Sequence, residues 1–177
     1  CLPTAWPPTE LISKILYPND NHTEGKILRL RQQYFLSAAS IGDIVHNHLA
    51  QYGSMENLPD KVAIHINDTH PTLAIPELMR ILLDECGYGW EKAFDITSRT
   101  FAYTNHTVMS EALEKWNEEI FRKTLPRIYS IVCEMNRRCR EDFEKKFPGD
   151  TGKIDYMAIL GDGQVRMANI CCYVCHS

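Results

Sequence analysis

Twice in this sequence, a short run of β-forming residues ends in a polar cluster, and a helical pattern follows. Residues 62–66 lead into 67–70 (Asn, Asp, Thr, His), and residues 101–104 lead into 105–107 (Asn, His, Thr). Strands that alternate with helices favour a parallel sheet, and ligands bind at the carboxyl ends of such strands. We therefore expect an α/β fold in which two neighbouring strands point both clusters into one cleft.

Helical patterns fill most of the remaining chain. Apolar residues at steps of three and four from Ile27 to Leu49 predict one long amphipathic helix, from Lys26 to near Gly53. Further helices are expected over residues 74–85, 91–100, 111–113 and 120–147, with Pro126 marking a break or a new first turn. Residues 154–160 and 164–170 are expected to form a hairpin around a glycine turn. Long helices with a few strands are thus predicted, in one domain or part of a larger one.

Composition excludes several classes of function. The net charge of −4 gives no attraction to nucleic acid or to an anionic membrane. No stretch approaches the roughly 20 apolar residues that cross a bilayer. Seven cysteines without regular spacing argue against a secreted disulfide framework, so a cytoplasmic location is expected. Cys171, Cys172, Cys175 and His176 do not pair two separated ligand clusters, so no metal site is expected.

The cluster at residues 67–70 has two interpretations. The side chains of Asp68 and His70 can hold sugar hydroxyls, because they offer donors and acceptors in fixed directions. Alternatively, Asp68 or Thr69 caps the following helix by accepting hydrogen bonds from its first amide groups. From the pattern alone, capping is favoured.

His106 is the candidate of the second cluster, because a neutral imidazole can donate to a hydroxyl or act as a base. A third cluster, residues 19–21, precedes the long helix, and by itself such a stretch is a solvated loop. Two other chemistries use the same residues. A glycosidase would need two carboxylates, drawn from Asp20, Asp68, Glu111 and Glu114. A metal-dependent hydrolase would use Asp68, His70 and His106.

Several blocks of sequence follow one another in a recognisable order: residues 16–21, 24–35, 62–80, 102–108, 111–116 and 147–150. On these blocks the chain, from about Leu11 to its end, resembles the glucan phosphorylases of the glycogen and maltodextrin type. The resemblance implies part of a Rossmann-like N-terminal domain, so that residues 1–177 are a fragment of that domain and a C-terminal cofactor domain is absent.

The resemblance also implies an activity. Family members remove the non-reducing terminal glucose of an α-1,4-glucan with inorganic phosphate, giving α-glucose 1-phosphate. Their cofactor is pyridoxal 5′-phosphate, whose phosphate group serves as the proton relay. That relay takes the place of a glycosidase's carboxylic acid, so the carboxylates of this chain are not expected to be acid catalysts.

Site residues follow by position in the matching blocks. His106 and Asn21 correspond to residues that contact the terminal glucose, His106 through its side chain and its carbonyl group. Dipoles at that place stabilise the developing oxocarbenium charge. The remaining substrate-binding residues implied by the resemblance are Asp20, Asp68, His70, Arg29 and Glu114.

The resemblance assigns other parts of the active site to segments outside this chain. The cofactor-binding lysine, the phosphate-binding residues and the glycine-rich loop have no counterpart, and neither Lys115 nor Lys123 corresponds to the cofactor lysine. We therefore expect the chain alone to be inactive. The resemblance also implies that the parent enzyme is a homodimer. The main alternative is a non-catalytic remnant that only binds oligosaccharide.

Overall fold

A long helix opens the described part of the molecule. The computed structural model describes residues 12, 18, 21–107 and 109–175. Helix α1 covers Thr23–Tyr52. It ends at Gly53, whose φ of 68° is left-handed and whose amide donates to the Leu49 carbonyl at 2.8 Å, as glycine at a helix end commonly does. The predicted long helix is confirmed, beginning three residues earlier than expected.

Two parallel strands follow, joined through helices. In chain order the elements are α2 (Leu58–Lys61), β1 (Ile64–Asn67), α3 (Ala74–Arg80) with a π-helical turn (Ile81–Glu85), α4 (Trp90–Thr100) and β2 (Phe101–Thr104). Ile64 pairs with Phe101, and Asn67 with Thr104. The mixed α/β fold is confirmed. The first strand begins two residues later than predicted, and its side chains alternate, with Ile66 buried and His65 exposed.

The second half contains a small antiparallel sheet that was only partly predicted. Its elements are a 3₁₀ turn (Ser110–Ala112), β3 (Lys115–Asn117), α5 (Glu118–Thr124), α6 (Pro126–Lys146), α7 (Thr151–Met157), β4 (Leu160–Gly161), β5 (Gln164–Arg166) and α8 (Met167–Val174). The strand order is β3-β5-β4. Pro126 starts a new helix, which is one of the two outcomes that the sequence allowed. Strand β3 was not predicted.

The expected hairpin over residues 154–170 is wrong in extent. Its turn is correct, since Asp162 and Gly163 both have positive φ, 54° and 67°, the signature of a tight hairpin turn. Only β4 and β5 beside the turn are strands, and the outer residues, 154–157 and 167–170, are helical instead. Asp150 accepts a hydrogen bond from the Lys153 amide at 3.1 Å and so begins α7. Short apolar runs of this kind do not distinguish strand from helix.

Helix α3 lies at the centre of the core. Every residue from Thr72 to Met79 is buried, and α3 contacts α1, α4, α6 and α8. Its one buried charge, Glu77, accepts a hydrogen bond from the Tyr34 hydroxyl at 2.8 Å and a bidentate pair from Arg80. The pKa of Tyr34 is raised to about 12, mainly by burial and next by the neighbouring Glu77. Across residues 21–107 and 109–175, no helix combines the length and apolarity needed to span a bilayer.

Candidate functional site

The two polar clusters meet at the carboxyl edge of β1 and β2, as the alternating pattern predicted. Nε2 of His106 is in hydrogen-bond contact with Oδ1 of Asn67. The Asp68 amide donates to the Thr104 carbonyl at 2.8 Å. One strand pairing thus fixes the base of both clusters, because parallel strands end at the same edge of a sheet.

The backbone at Asp68 turns sharply away from the strand. Its φ of 65° is left-handed, a conformation that aspartate tolerates better than most residues. Oδ1 of Asp68 accepts from the Thr69 amide at 2.6 Å. Helix α3 has Leu73 as its N-cap, with no side-chain cap. The capping interpretation of Asp68 and Thr69 is therefore wrong, and the Asp68 carboxylate belongs to the turn before the helix.

A cavity of about 600 Å³ lies beside this edge. Arg29, Asp68, His70 and Glu114 all contribute to its lining, so four of the predicted site residues are brought together. The other lining residues are Lys26, Thr69, Thr107, Ala112, Lys115, Trp116, Asn117, Ile120 and Gln164. Its volume is in the range of small-molecule sites.

Glu114 ties two parts of the cavity wall together. One oxygen, Oε1, accepts from Nε2 of Gln33 at 3.0 Å and lies 3.4 Å from Nη2 of Arg29. The Glu114 side chain is only 14% exposed. The Arg29 guanidinium also lies 5.8 Å from the centre of the Trp116 ring, a cation–π distance. The carboxylate and the indole together hold the Arg29 guanidinium at the cavity.

The remaining predicted site residues lie elsewhere. His106 is exposed and is not among the lining residues, although Thr107, its neighbour, is. Asn21 is exposed in the turn before α1. Asp20 lies outside the described residues. The structure thus groups four of the predicted residues around a cavity, and places His106 at the strand edge beside it.

Gln33 and Trp116 were missed by the sequence analysis. Gln33 lies one helical turn after Arg29, four residues on, and such pairs share a face of a helix. That spacing was available as a signal, but it does not reveal the partner, Glu114, which is 81 residues away in sequence. Trp116 lies in the unpredicted strand β3, where its side chain is buried.

A half-buried phenol with a buried hydroxyl group lies on the second parallel strand. Tyr103, on β2, has a hydroxyl oxygen with no hydrogen-bond partner among the described residues. Burial is the main cause that raises the pKa of Tyr103, and nearby Cys171 is the next. The phenol therefore stays neutral at physiological pH and contributes no charge to the site.

The cavity lining does not fit a pyridoxal phosphate group. Its two lysines, Lys26 and Lys115, have exposed side chains, whereas a Schiff-base lysine is usually activated by desolvation or by a neighbouring cation. The lining contains no glycine through which backbone amides could approach a phosphate closely. In the described ranges, no three His, Cys, Asp or Glu side chains are grouped to hold a metal ion.

Fold and site together define a class of protein. A mixed α/β chain with a cavity lined by carboxylates, imidazole and guanidinium at the carboxyl edge of parallel strands is suited to a polyhydroxylated ligand. The carbohydrate phosphorylase family model matches residues 6–177. This chain belongs to the carbohydrate phosphorylase family.

Individual relatives agree with that assignment. Glycogen phosphorylase of Bacillus subtilis (strain 168) is 56% identical over 163 residues, covering 92% of this chain and 20% of the relative. The brain form of glycogen phosphorylase of Bos taurus is 46% identical, over 95% of this chain and 21% of the relative. The H isozyme of alpha-glucan phosphorylase of Triticum aestivum is 46% identical, over 94% and 21%. The chain spans about a fifth of the length of the curated relatives it matches.

Proposed function

We propose that this chain supplies the glucose-binding part of a site for the phosphorolysis of α-1,4-glucans, with α-glucose 1-phosphate as the product. The observation that carries the proposal is the convergence of Arg29, Asp68, His70 and Glu114 on one cavity, in a chain of the carbohydrate phosphorylase family. A sugar presents hydroxyl groups that both donate and accept hydrogen bonds. Carboxylates accept, guanidinium donates and imidazole can do either.

His106 is proposed to contact the terminal glucose. Its Nε2 contact with Asn67 Oδ1 orients the imidazole ring at the strand edge. Because Oδ1 of Asn67 can only accept, Nε2 carries the proton and donates a hydrogen bond to it, which leaves Nδ1 of the neutral imidazole as an acceptor. Asn21 and Asp20 are proposed to approach the sugar from the loop that precedes α1.

We propose that the two parallel strands belong to a larger Rossmann-like sheet of an N-terminal phosphorylase domain. A pair of strands is seldom stable in water without further strands or helices packed on it. Pyridoxal phosphate and inorganic phosphate are proposed to be held by parts of the enzyme outside this chain. Association of two such enzymes in a dimer, in the cytoplasm, is likewise part of the proposal.

Binding is tested on the chain itself by titration with maltoheptaose, followed by calorimetry. His106→Ala is expected to weaken binding about tenfold, because the variant loses one well-placed hydrogen bond to the sugar. His46→Ala is the matched control, because His46 is an exposed histidine on α1. Equal affinities of the two variants would contradict the assignment of His106. A wild-type chain that binds no maltoheptaose would contradict the glucose-binding proposal.

Catalysis is tested in a chimera. The matching 163 residues of the Bacillus subtilis enzyme are replaced by the corresponding residues of this chain, and glucose 1-phosphate formation is measured. The chimera is expected to be active and its His106→Ala variant to be slower, whereas the chain alone with glucan, phosphate and pyridoxal phosphate is expected to form no product. Binding without activity of the chimera would favour the non-catalytic remnant.

A further inference from the structure

The segment 105–114, of which residue 108 lies outside the described residues, joins β2 to β3 and carries His106. Within this segment the hydrogen bonds are local: Asn105 Nδ2 donates to the Thr107 carbonyl at 2.8 Å, and the Met109 amide donates to Oγ1 of Thr107 at 3.2 Å. The Ala112 amide donates to the Met109 carbonyl at 3.0 Å. Such bonds shape the segment but do not attach it to the remainder of the molecule.

Among the described residues, hydrogen bonds attach the segment to the remainder of the molecule at its two ends. At the first end, His106 contacts Asn67. At the second end, the Glu114 carbonyl accepts from the Met167 amide at 3.2 Å, and the Glu114 carboxylate accepts from Gln33 at 3.0 Å. The Glu114 carboxylate also lies 3.4 Å from Nη2 of Arg29, so Gln33 and Arg29 both link the segment to helix α1, and the Gln33 bond is the shorter of the two.

Each side chain of this bond also carries a buried oxygen that has no hydrogen-bond partner among the described residues, Oε2 of Glu114 and Oε1 of Gln33. Removing Gln33 Nε2 would leave Arg29, at the longer distance of 3.4 Å, as the side-chain donor to Oε1. A buried carboxylate that loses its shorter hydrogen bond is destabilised, so we expect the segment to be held less firmly.

We infer that Gln33 is a positioning residue of the proposed glucan site: through Glu114 it holds the segment 105–114, and with it His106, against helix α1. The attachment follows from the geometry alone, whereas its role at a glucan site rests on the proposed function. The two walls of the cavity meet at this bond. Lys26 and Arg29 lie on the helix, and Thr107 and Glu114 lie on the segment. The Gln33–Glu114 bond, together with the longer Arg29–Glu114 contact, therefore joins these walls.

Hydrogen exchange of the amides in residues 106–113 tests the attachment on the chain itself. Gln33→Met removes the donor with little change in volume and is expected to speed their exchange about tenfold, the equivalent of one hydrogen bond to a carboxylate. Gln51→Met is the matched control, because Gln51 is exposed near the end of the same helix. The control is expected to leave the exchange unchanged.

A double-mutant cycle isolates the pair. Glu114→Met is expected to match Gln33→Met, and the double variant is expected to exchange no faster than either single one. Glu114→Gln keeps an acceptor for Gln33 and is expected to retain most of the protection. Additive effects in the cycle, or unchanged exchange in Gln33→Met, would overturn the inference. If Gln33→Met does not fold, Gln33→Asn takes its place, because it shortens the side chain and keeps the amide.

A sugar readout separates the two proposals. Gln33→Met is expected to weaken maltoheptaose binding several-fold, and Glu114→Gln to weaken it less. Faster exchange in Gln33→Met, with wild-type affinity for maltoheptaose, would retain the attachment and overturn its role at the site. A wild-type chain that binds no maltoheptaose, with the same exchange result, would refute the glucan proposal and leave the attachment in place.

Discussion

Helix α3 and the segment 105–114 are held in opposite ways. Helix α3 is surrounded by other helices, and its residues from Ala74 to Met79 are buried. The described residues of the segment 105–114 are mostly exposed, and polar contacts at its two ends attach it. The comparison shows that burial of apolar side chains holds the centre of this chain together, whereas a few hydrogen bonds position its candidate site. Variants in the first region should change stability, and variants in the second should change geometry and binding.

The largest effect is expected from Leu78→Ala in α3. Leu78 is 1% exposed, and removing its side chain is expected to lower the free energy of unfolding by about 2–5 kcal/mol, through lost burial and a cavity. Urea denaturation measures the change. Leu36→Ala is the control, because Leu36 is 66% exposed. Similar losses in the two variants would show that α3 is not the centre of the stable structure.

A smaller effect is expected from Tyr34→Phe, which removes the hydroxyl bonded to Glu77. Loss of a hydrogen bond to a buried carboxylate is expected to cost about 1–2 kcal/mol. The folded-state pKa of Tyr34 is raised from 10.0 to about 12. Its contribution is therefore fully present below pH 10 and is lost as the pH rises from 10 to about 12. The melting temperature should therefore fall more steeply with pH across that range in the wild type than in Tyr34→Phe.

His106→Ala sharpens the comparison from the other side. Because His106 is exposed, the variant is expected to change the free energy of unfolding by less than about 0.5 kcal/mol, as surface substitutions usually do. Its affinity for maltoheptaose should nevertheless fall, as proposed above. Urea denaturation of the variant used for calorimetry provides both values. A large loss of stability would mean that His106 holds the strand edge together.

A small effect on stability is also expected from Glu134→Gln in α6, where the Glu134 side chain is partly exposed. Arg137 and then Arg138 lower the pKa of Glu134 from 4.5 to about 2. The carboxylate therefore stabilises the fold above pH 4.5, and this contribution is lost as the pH falls towards 2. Solvent screening keeps it below about 1 kcal/mol. The free energy of unfolding, measured at several pH values in this window, should fall less steeply in the variant. Equal slopes in the variant and the wild type would contradict the role of the ion pair.

The sequence predicted the parts of the fold that depend on local pattern. The long helix, its end at Gly53 and the pair of strands that brings Asn67 beside Thr104 all follow from periodicity and glycine chemistry. Strand β3 was missed because three residues carry no measurable period, and because its pairing with β5 joins residues far apart in sequence. The long hairpin was wrong because apolar residues over 154–160 suit a helix as well.

The candidate site was predictable in composition and less so in arrangement. Asp68, His70, Arg29 and Glu114 were named from the resemblance, and the structure places them on one cavity. Their roles stay predictions. Gln33 was not named, because only the folded chain shows that it meets Glu114. The capping interpretation failed because the helix starts at Ala74, several residues after Asp68.

The left-handed backbone at Asp68 restricts how this edge of the molecule can change over generations. Among ordinary amino acids, glycine, asparagine and aspartate adopt that conformation most readily, whereas a β-branched residue there would be strained. Most substitutions at this position would therefore strain the backbone of the turn, whatever their effect on a ligand. New chemistry at the position is reached most easily through asparagine, which keeps a polar side chain, or through glycine, which removes it. The turn thus limits which residues can replace Asp68.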